Sequence, residues 1–333
     1  MEGNLRLMAA FFNGSGAKLR PHFKAHQVFY LAKRQMQYGA IGLTCARLDQ
    51  AERLVSQGIH SVLIANEIAG EPKIRDFLDL GRRAPVLVAV DNAKVVADMA
   101  RLAGKRRAQV NLLVDVDVRL SRCGVKPGEA ALALTQLILE KGLRFRGLMG
   151  YEGQVALPPG PEKDRVVCES LTRLTETKSL IEQAGIPVGI VSCGGSSDFS
   201  IAAKCPHVTE IQAGSYLLMD SSYEPYAPEF RPTLTVLSTV ISKTPGERIV
   251  ADAGFRVMSG ELGLPSIKGT PGLRTKALHI EHSILEITDS SCPIEVGEKV
   301  EIWVRFLDQT LGLHDHLFSV RNGKLEEILK IER

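Results

Sequence analysis

"PVLVAVDNAKVVADMARLAGKRRAQVNLLVDVD", residues 85–117, decides the fold class. Residues 85–90 and 109–117 are short apolar runs. Between them, 92–104 carries apolar residues at helical spacing with charges on the other face. A strand without polar alternation is buried on both faces, as in a parallel sheet, and a helix between two such strands is a crossover unit. Working outward, the same texture repeats. Strands are expected at 18–23, 40–44, 61–65, 143–151, 187–194 and 208–214, with helices at 25–38, 46–57, 127–141 and 162–184. Eight strands alternating with helices up to residue 214 predict an α/β chain built on a (β/α)8 TIM barrel. An open doubly wound sheet is the alternative, although no GxGxxG follows the first strand.

Beyond about residue 230 the texture changes. "TLTVLSTVISKTP" (233–245), "ERIVADAGF" (247–255), "KALHIEHSILEIT" (276–288), "EKVEIWVRFLD" (298–308) and "HLFSVRNGKLEEILKI" (316–331) all look like strands, with a hairpin turn at "RNGK" (321–324). The expected organisation is a barrel over 1–228 and an antiparallel β domain over 229–333.

Composition excludes several classes. The 333 residues are 44% hydrophobic with net charge +3, and the densest basic run, "GKRRAQ" (104–109), reads as a solvated helix end. No nucleic-acid footprint is present. No stretch stays apolar for the roughly 18 residues of a membrane span, and the start lacks the basic and apolar regions of a secretory signal. The six cysteines are scattered without a CxxC pair, which points to reduced thiols. A cytoplasmic protein is expected.

In such a barrel, chemistry gathers at the C-terminal ends of the strands. Lys24, Arg122 and Tyr151 fall there after expected strands one, five and six, and "SCGGSS" (192–197) and "AGSYLLMD" (213–220) follow strands seven and eight. Small residues with serine hydroxyls at these two turns suit a phosphate; as plain tight turns they would do nothing. Lys24 is then either a surface lysine or one that forms a Schiff base with pyridoxal phosphate.

"LRPHFKAHQ" (19–27) settles that choice by resemblance. With "DVRLSRCGV" (117–125), "GLMGYEGQ" (147–154), "IVSCGGSSDF" (190–199), "TEIQAGSYLLMD" (209–220) and "LGLHDHLFSVRNG" (311–323), it resembles the D-threonine aldolase and D-serine dehydratase family of alanine-racemase-like pyridoxal phosphate enzymes. The resemblance implies a barrel plus C-terminal β domain, acting as a homodimer with active sites near the subunit interface. It implies that Lys24 links covalently to the cofactor, with Arg20 and His22 in support. It places Arg122 and Tyr151 at the cofactor ring, and Gly194, Gly195, Ser196, Gly214, Ser215 and Tyr216 at the phosphate. The resemblance also implies a strand before the first helix that has no counterpart here; either the β domain tolerates its absence or the start has been trimmed.

The chain departs from the family twice. The family's metal pair near the C-terminus falls on Phe306 and Asp308. A phenyl ring cannot ligate; Asp308 suits Mg²⁺ or Mn²⁺. His314 and His316 share a face if they lie on a strand, and are either substitute ligands or surface histidines. Gln154 stands where many relatives have histidine and cannot shuttle protons. His282 becomes the acid–base candidate, or else a structural histidine. The expected activity is a lyase cleaving β-hydroxy D-amino acids to glycine and an aldehyde. Alternatives are a racemase or epimerase, a D-serine dehydratase-like enzyme, or a non-catalytic pyridoxal phosphate carrier.

Overall fold

Pro21 governs how the first strand joins the sheet. In the computed structural model, which describes residues 1–106, 108–244, 248–289, 292 and 294–332, α1 (Glu2–Asn13) leads into β1, only Lys18–Leu19 long. Amides of Lys18, Arg20 and His22 donate to Thr209, Ile211 and Ala213 on one side. The odd-numbered residues face the other neighbour, and there Pro21 has no N–H to give. That side is held by carbonyls, with Ile41 and Thr44 amides donating to Leu19 and Pro21.

The crossover pattern then runs through α2 (Phe29–Gln37), β2 (Leu43–Cys45), α3 (Leu48–Ser56), β3 (Val62–Glu67), α4 (Glu71–Leu80), β4 (Leu87–Val90), α5 (Ala93–Arg106), β5 (Asn111–Asp115), α6 (Glu129–Glu140), β6 (Arg144–Met149), α7 (Pro161–Gln183), β7 (Ile190–Cys193), α8 (Phe199–Ala202) and β8 (Glu210–Ile211). The eight parallel strands run β1-β8-β7-β6-β5-β4-β3-β2. The bridge His22↔Thr44 closes the circle between β1 and β2. The barrel expected from the sequence is present, with shorter strands. The helix expected from residue 25 begins at Phe29, because a 3₁₀ turn, Phe23–Ala25, comes first.

Packing divides the chain into two compact units. One comprises Arg6–Lys24 and Leu31–Gly214; the other comprises Met1–Leu5, Ala25–Tyr30 and Ser215–Arg333. In the second, β9 (Thr235–Thr244), β10 (Arg248–Ala251), β11 (Ile267–Lys268), β12 (Leu273–Leu278), β13 (Ser283–Ile287) and β14 (Lys299–Trp303) make an antiparallel sheet in the order β11-β14-β9-β10-β13-β12. Its core includes Ile249, Leu285 and Ile302, all fully buried. The stretch 298–308 is not one strand: it turns after Trp303 into α9 (Leu307–Leu311). β15 (His316–Arg321) and β16 (Lys324–Lys330) form the hairpin read from "RNGK". Asn322 and Gly323 take φ of 51° and 74°, the left-handed pair that such a turn requires. No helix among the described residues is long and apolar enough to cross a membrane.

The β1–β8 ladder pairs only Lys18 with Glu210 and Leu19 with Ile211. Arg20 reinforces it. Its Nε donates to Glu210 Oε2 at 2.8 Å and its Nη2 to Oε1 at 2.6 Å, and Nη1 reaches Ser61 Oγ at 2.9 Å. Both partners are buried. Removing one charge of a buried pair leaves the other uncompensated, at about 3–5 kcal/mol. Glu210→Gln should therefore lower unfolding stability by about 3–5 kcal/mol in urea titration, with an unchanged denaturant slope.

Candidate active site

One face of the barrel strands grades from apolar to acidic along their length. Leu63, Ala89, Leu113 and Met149 form a buried cluster, with Ala65 and Leu87 packed against it. Alternate residues share a face, so Asp91 continues the row of Leu87 and Ala89, Asp115 that of Leu113, and Tyr151 that of Met149. β3 reaches the same level through a register slip between Ile64 and Glu67, which places Glu67 opposite Ala89.

At that level the loop after β5 turns back on itself. Val125 donates to Asp115 O and Asp117 to Val125 O, both at 2.9 Å. Asp117 Oδ1 accepts from the amides of Arg119 and Ser121, which holds those residues at φ of 91° and 55°. Gly124 donates to Asp91 Oδ2 at 3.1 Å. A Cβ on Gly124 would lie 2.6 Å from Asp117 N, so only glycine lets the loop close.

This loop presents Arg122 and Cys123. The guanidinium of Arg122 stands over the Tyr151 ring, 5.7 Å from its centroid. Metal-type atoms of Glu67, Asp91 and Cys123 lie within 4.8 Å of one another. Asp115 is next to them: burial, then the charge of Glu67, raises its pKa to about 8, while Arg122 pulls the other way. Cys123 is pushed up to about 11 by burial and by Glu67. These acids were missed in the sequence reading, although each ends or follows a barrel strand.

Lys24 sits in the 3₁₀ turn after β1, exposed between the buried Phe23 and Ala25. Its amide donates to His22 Nδ1 at 3.4 Å. His22 therefore supports the turn directly. The ion-paired guanidinium of Arg20 braces the strand behind it.

Tyr151 is 37% exposed and is hemmed in by glycines. A Cβ on Gly153 would come within 2.3 Å of the ring, and one on Gly195 within 3.5 Å. Gln154 Nε2 is pinned to Val118 O and Ser170 Oγ, both at 3.2 Å, which makes it a bracket between loop and helix.

In the glycine turn after β7 two backbone amides are held by carboxyl groups. The Gly195 amide gives its hydrogen to Asp198 Oδ1 at 2.7 Å, and that of Gly194 goes to Glu152 Oε2 at 3.3 Å. Both carboxyls are buried, and burial raises both pKa values. The buried Lys163 amine donates to Ser197 O. Gly194, at φ 77° and with its would-be Cβ 3.1–3.3 Å from Ile211 and Ala202, shapes the turn. Ser196, itself buried, carries the hydroxyl of this loop. Gly214 ends the barrel unit.

The remaining candidates belong to the other unit. Tyr216 is fully buried with its ring 5.8 Å from that of Phe230, and Ser215 O accepts from Met219 N. His282 is exposed in the turn between β12 and β13, where its carbonyl accepts from His279 N at 2.8 Å. Asp308 lies in the first turn of α9 and Phe306 at its N-cap. His314 precedes β15 and its Nε2 meets Val257 O at 2.7 Å, so it does not share a strand with His316. Among the described residues no group of three metal-type side chains includes Asp308, His314 or His316.

A barrel of this topology with a lysine after its first strand defines the class. The family described as alanine racemase, N-terminal domain, matches residues 1–222, and one described as a putative serine dehydratase domain matches 233–320. The chain belongs to the alanine racemase N-terminal domain family. It is 35% identical over 338 residues to the D-threonine aldolase of an Arthrobacter species, covering 99% of this chain and 89% of that protein. It is 27% identical over 341 residues to the 3-hydroxy-D-aspartate aldolase of Paracoccus denitrificans, covering 98% and 88%. The crystal structure of D-threonine aldolase from Filomicrobium marinum superposes with a TM-score of 0.94 at 31% identity, covering 99% of this chain and 92% of that one.

The raised Asp115 pKa carries a stability signature. The folded state holds the proton more tightly than the unfolded chain, so stability is greatest below the ordinary value of 3.8 and falls as pH rises towards about 8. Asp115→Asn should flatten the decline in melting temperature between these limits. Melting curves from pH 4 to 8 check this, and equal slopes in mutant and wild type would refute it.

Proposed function

We propose that this protein is a pyridoxal phosphate-dependent lyase that cleaves β-hydroxy D-amino acids, in the manner of a D-threonine aldolase. The observation that carries the reading is the exposed Lys24, held in a fixed turn at the end of β1 in a barrel whose β5 and β6 ends present Arg122 and Tyr151. In this reading residues 1–228 carry the cofactor and 229–333 form the β domain.

The donor set fits the cofactor: a primary amine for its aldehyde, a cation and an aromatic ring, and glycine–serine turns for its phosphate. Lys24, Arg122 and Tyr151 would hold the ring portion. Gly194, Gly195, Ser196, Gly214, Ser215 and Tyr216 would serve the phosphate. Because the Gly194 and Gly195 amides face carboxylates, these two glycines act by shaping the turn and the serines act as donors. Pyridoxal phosphate bound there supplies an electron sink for the bond broken at Cα.

The chain's own groups handle the protons. Cleavage of Cα–Cβ releases an aldehyde as the β-hydroxyl proton leaves, and His282 accepts that proton at a ring nitrogen. Lys24 Nζ returns a proton to Cα, giving glycine. The family's metal pair does not fit here: Phe306 has no lone pair, and Asp308 lies in a helix turn beside Asp220, whose pKa is raised first by burial and also by Asp308. No step is assigned to a metal. We further infer a cytoplasmic homodimer. The hairpin β15–β16 supports it, since Phe318 and Val320 pair with Ile328 and Leu325 and all four are more than half exposed.

Two measurements test the reading. Borohydride should fix a chromophore on the peptide containing Lys24, and Lys24→Ala should lose both the label and D-threonine cleavage by about 10²–10⁴-fold. Label on another lysine would overturn the assignment; a keto acid and ammonia, or the L-enantiomer, would replace aldol cleavage by dehydration or racemisation. Calorimetric titration with Mn²⁺ should show weak binding to the wild type. Phe306→His should tighten it on the order of 10- to 100-fold. Tight binding by the wild type would locate a metal site elsewhere.

A further inference from the structure

Cys168 and Cys205 are 37 positions apart in sequence, yet their Sγ atoms are 4.0 Å apart. Cys168 lies on the exposed side of α7, near its start; Cys205 lies just after α8 and is half-buried. Both line a cleft of about 570 Å³ whose wall also includes Asp164, Thr172, Ser200 and Lys204. None of these residues takes part in the reaction proposed above. Of the six cysteines, Cys45, Cys193 and Cys292 are buried and closed to reagents from solvent.

We propose that Cys168 and Cys205 are a redox-active dithiol that closes to a reversible disulfide on reaction with a low-molecular-weight disulfide entering this cleft. The sulfurs must approach from 4.0 Å to about 2.05 Å. The exposed Cys168 has room to turn its side chain towards Cys205, whose sulfur is tied to Ile201 O at 3.6 Å.

The two thiols have distinct parts. Only a thiolate attacks a disulfide. Cys205 is pushed up to about 12, by burial first and then by its neighbour Cys168, which disfavours it as the first nucleophile. Cys168 is exposed, so a disulfide entering the cleft reaches its sulfur first. Cys168 therefore attacks one sulfur of the small disulfide, forming a mixed disulfide and expelling one small thiolate. Cys205 then loses its proton and attacks Cys168 Sγ, expelling the second. The two protein thiols are oxidised by two electrons, the small disulfide is reduced to two thiols, and the two protein protons end on those thiols.

The bond would close the chain from 168 to 205, a segment that contains all of β7 and the Gly194–Ser197 turn. That turn is already held to α7 through Lys163 and Ser197 O. A second tie from α7, at Cys205, would fix the segment at its far end.

The test uses the full-length protein incubated with glutathione disulfide, followed by intact-mass measurement and peptide mapping. Expected is a loss of about 2 Da, two hydrogens per chain, with a peptide joining residues 168 and 205, both reversed by dithiothreitol. Cys205→Ser should stop at a stable glutathione adduct on Cys168; Cys168→Ser should acquire no adduct at Cys205. Three results would overturn the proposal: a wild type that keeps both thiols while Cys168 remains open to maleimide, a wild type that accumulates only the glutathione adduct, or one that links Cys168 between two chains. Adduct formation at Cys205 in Cys168→Ser at the wild-type rate would reverse the assigned order and count equally against it. Mapping the wild type alone decides the linkage even if a serine variant folds poorly.

Discussion

The barrel depends on how β1 is held, and β1 depends on Arg20. A two-residue strand cannot by itself close an eight-stranded sheet. Its neighbour β8 is equally short, and Pro21 removes a donor on the β2 side. Arg20 compensates with a fork of charge-assisted bonds to Glu210 and a further bond to Ser61, geometry that lysine could not reproduce. Gly42 is the counterpart of this arrangement: a Cβ there would lie 2.3 Å from both Arg20 Nη1 and Ser61 O. The 3₁₀ turn bearing Lys24 begins three residues after Arg20. The interaction that closes the barrel thus also fixes where the lysine amine emerges.

A second constraint is charge at the strand ends. Glu67, Asp91 and Asp115 crowd the ends of β3, β4 and β5, with Arg122 acting on Asp115. Burial, then the neighbouring Glu67 and Asp91, disfavour the charged form of Asp115. Asp115, the most buried of them, keeps its proton near neutrality. The same logic operates behind the glycine turn. There Glu152 and Asp198 are both buried, and Asp198 is relieved in part by Lys163. In both places a glycine amide donates to a carboxylate, Gly124 to Asp91 and Gly195 to Asp198. Both loops are thus anchored through carboxylates behind them.

Much of this was legible in the sequence. The barrel followed from uninterrupted apolar runs separated by helical periods, because burial on both faces leaves that imprint on a strand. The placement of Lys24, Arg122 and Tyr151 after barrel strands was legible because each follows such a run. The acids were harder to see. Asp91 and Asp115 close their runs as ordinary polar punctuation, and a register slip hides the alignment of Glu67. The partners of the glycine turn were not legible, because Gly-Gly-Ser describes conformational freedom and says nothing of where an amide points; only the fold brings Glu152 and Asp198 behind it. α9 was read as strand because "WVRFLD" has strand composition, and the turn after Trp303 is set by tertiary packing, with Asp220 Oδ2 accepting from Leu307 N at 2.7 Å.

The same bond bears on the start of α9, where Phe306 stands at the N-cap. A ligating imidazole at position 306 would present its nitrogens at the N-cap of α9, next to the carboxylate of Asp308. With phenylalanine there, the helix start is secured by Asp220 instead, through Leu307 N and a turn of its own in which Oδ1 accepts from Ser222 N and Oγ. The pKa of Asp220 is raised, by burial first and also by the charge of Asp308. Two carboxyls in that relation repel when both are charged and attract a proton when one is not. Gln154 braces a loop through Val118 O and Ser170 Oγ, and its amide cannot shuttle protons near neutral pH.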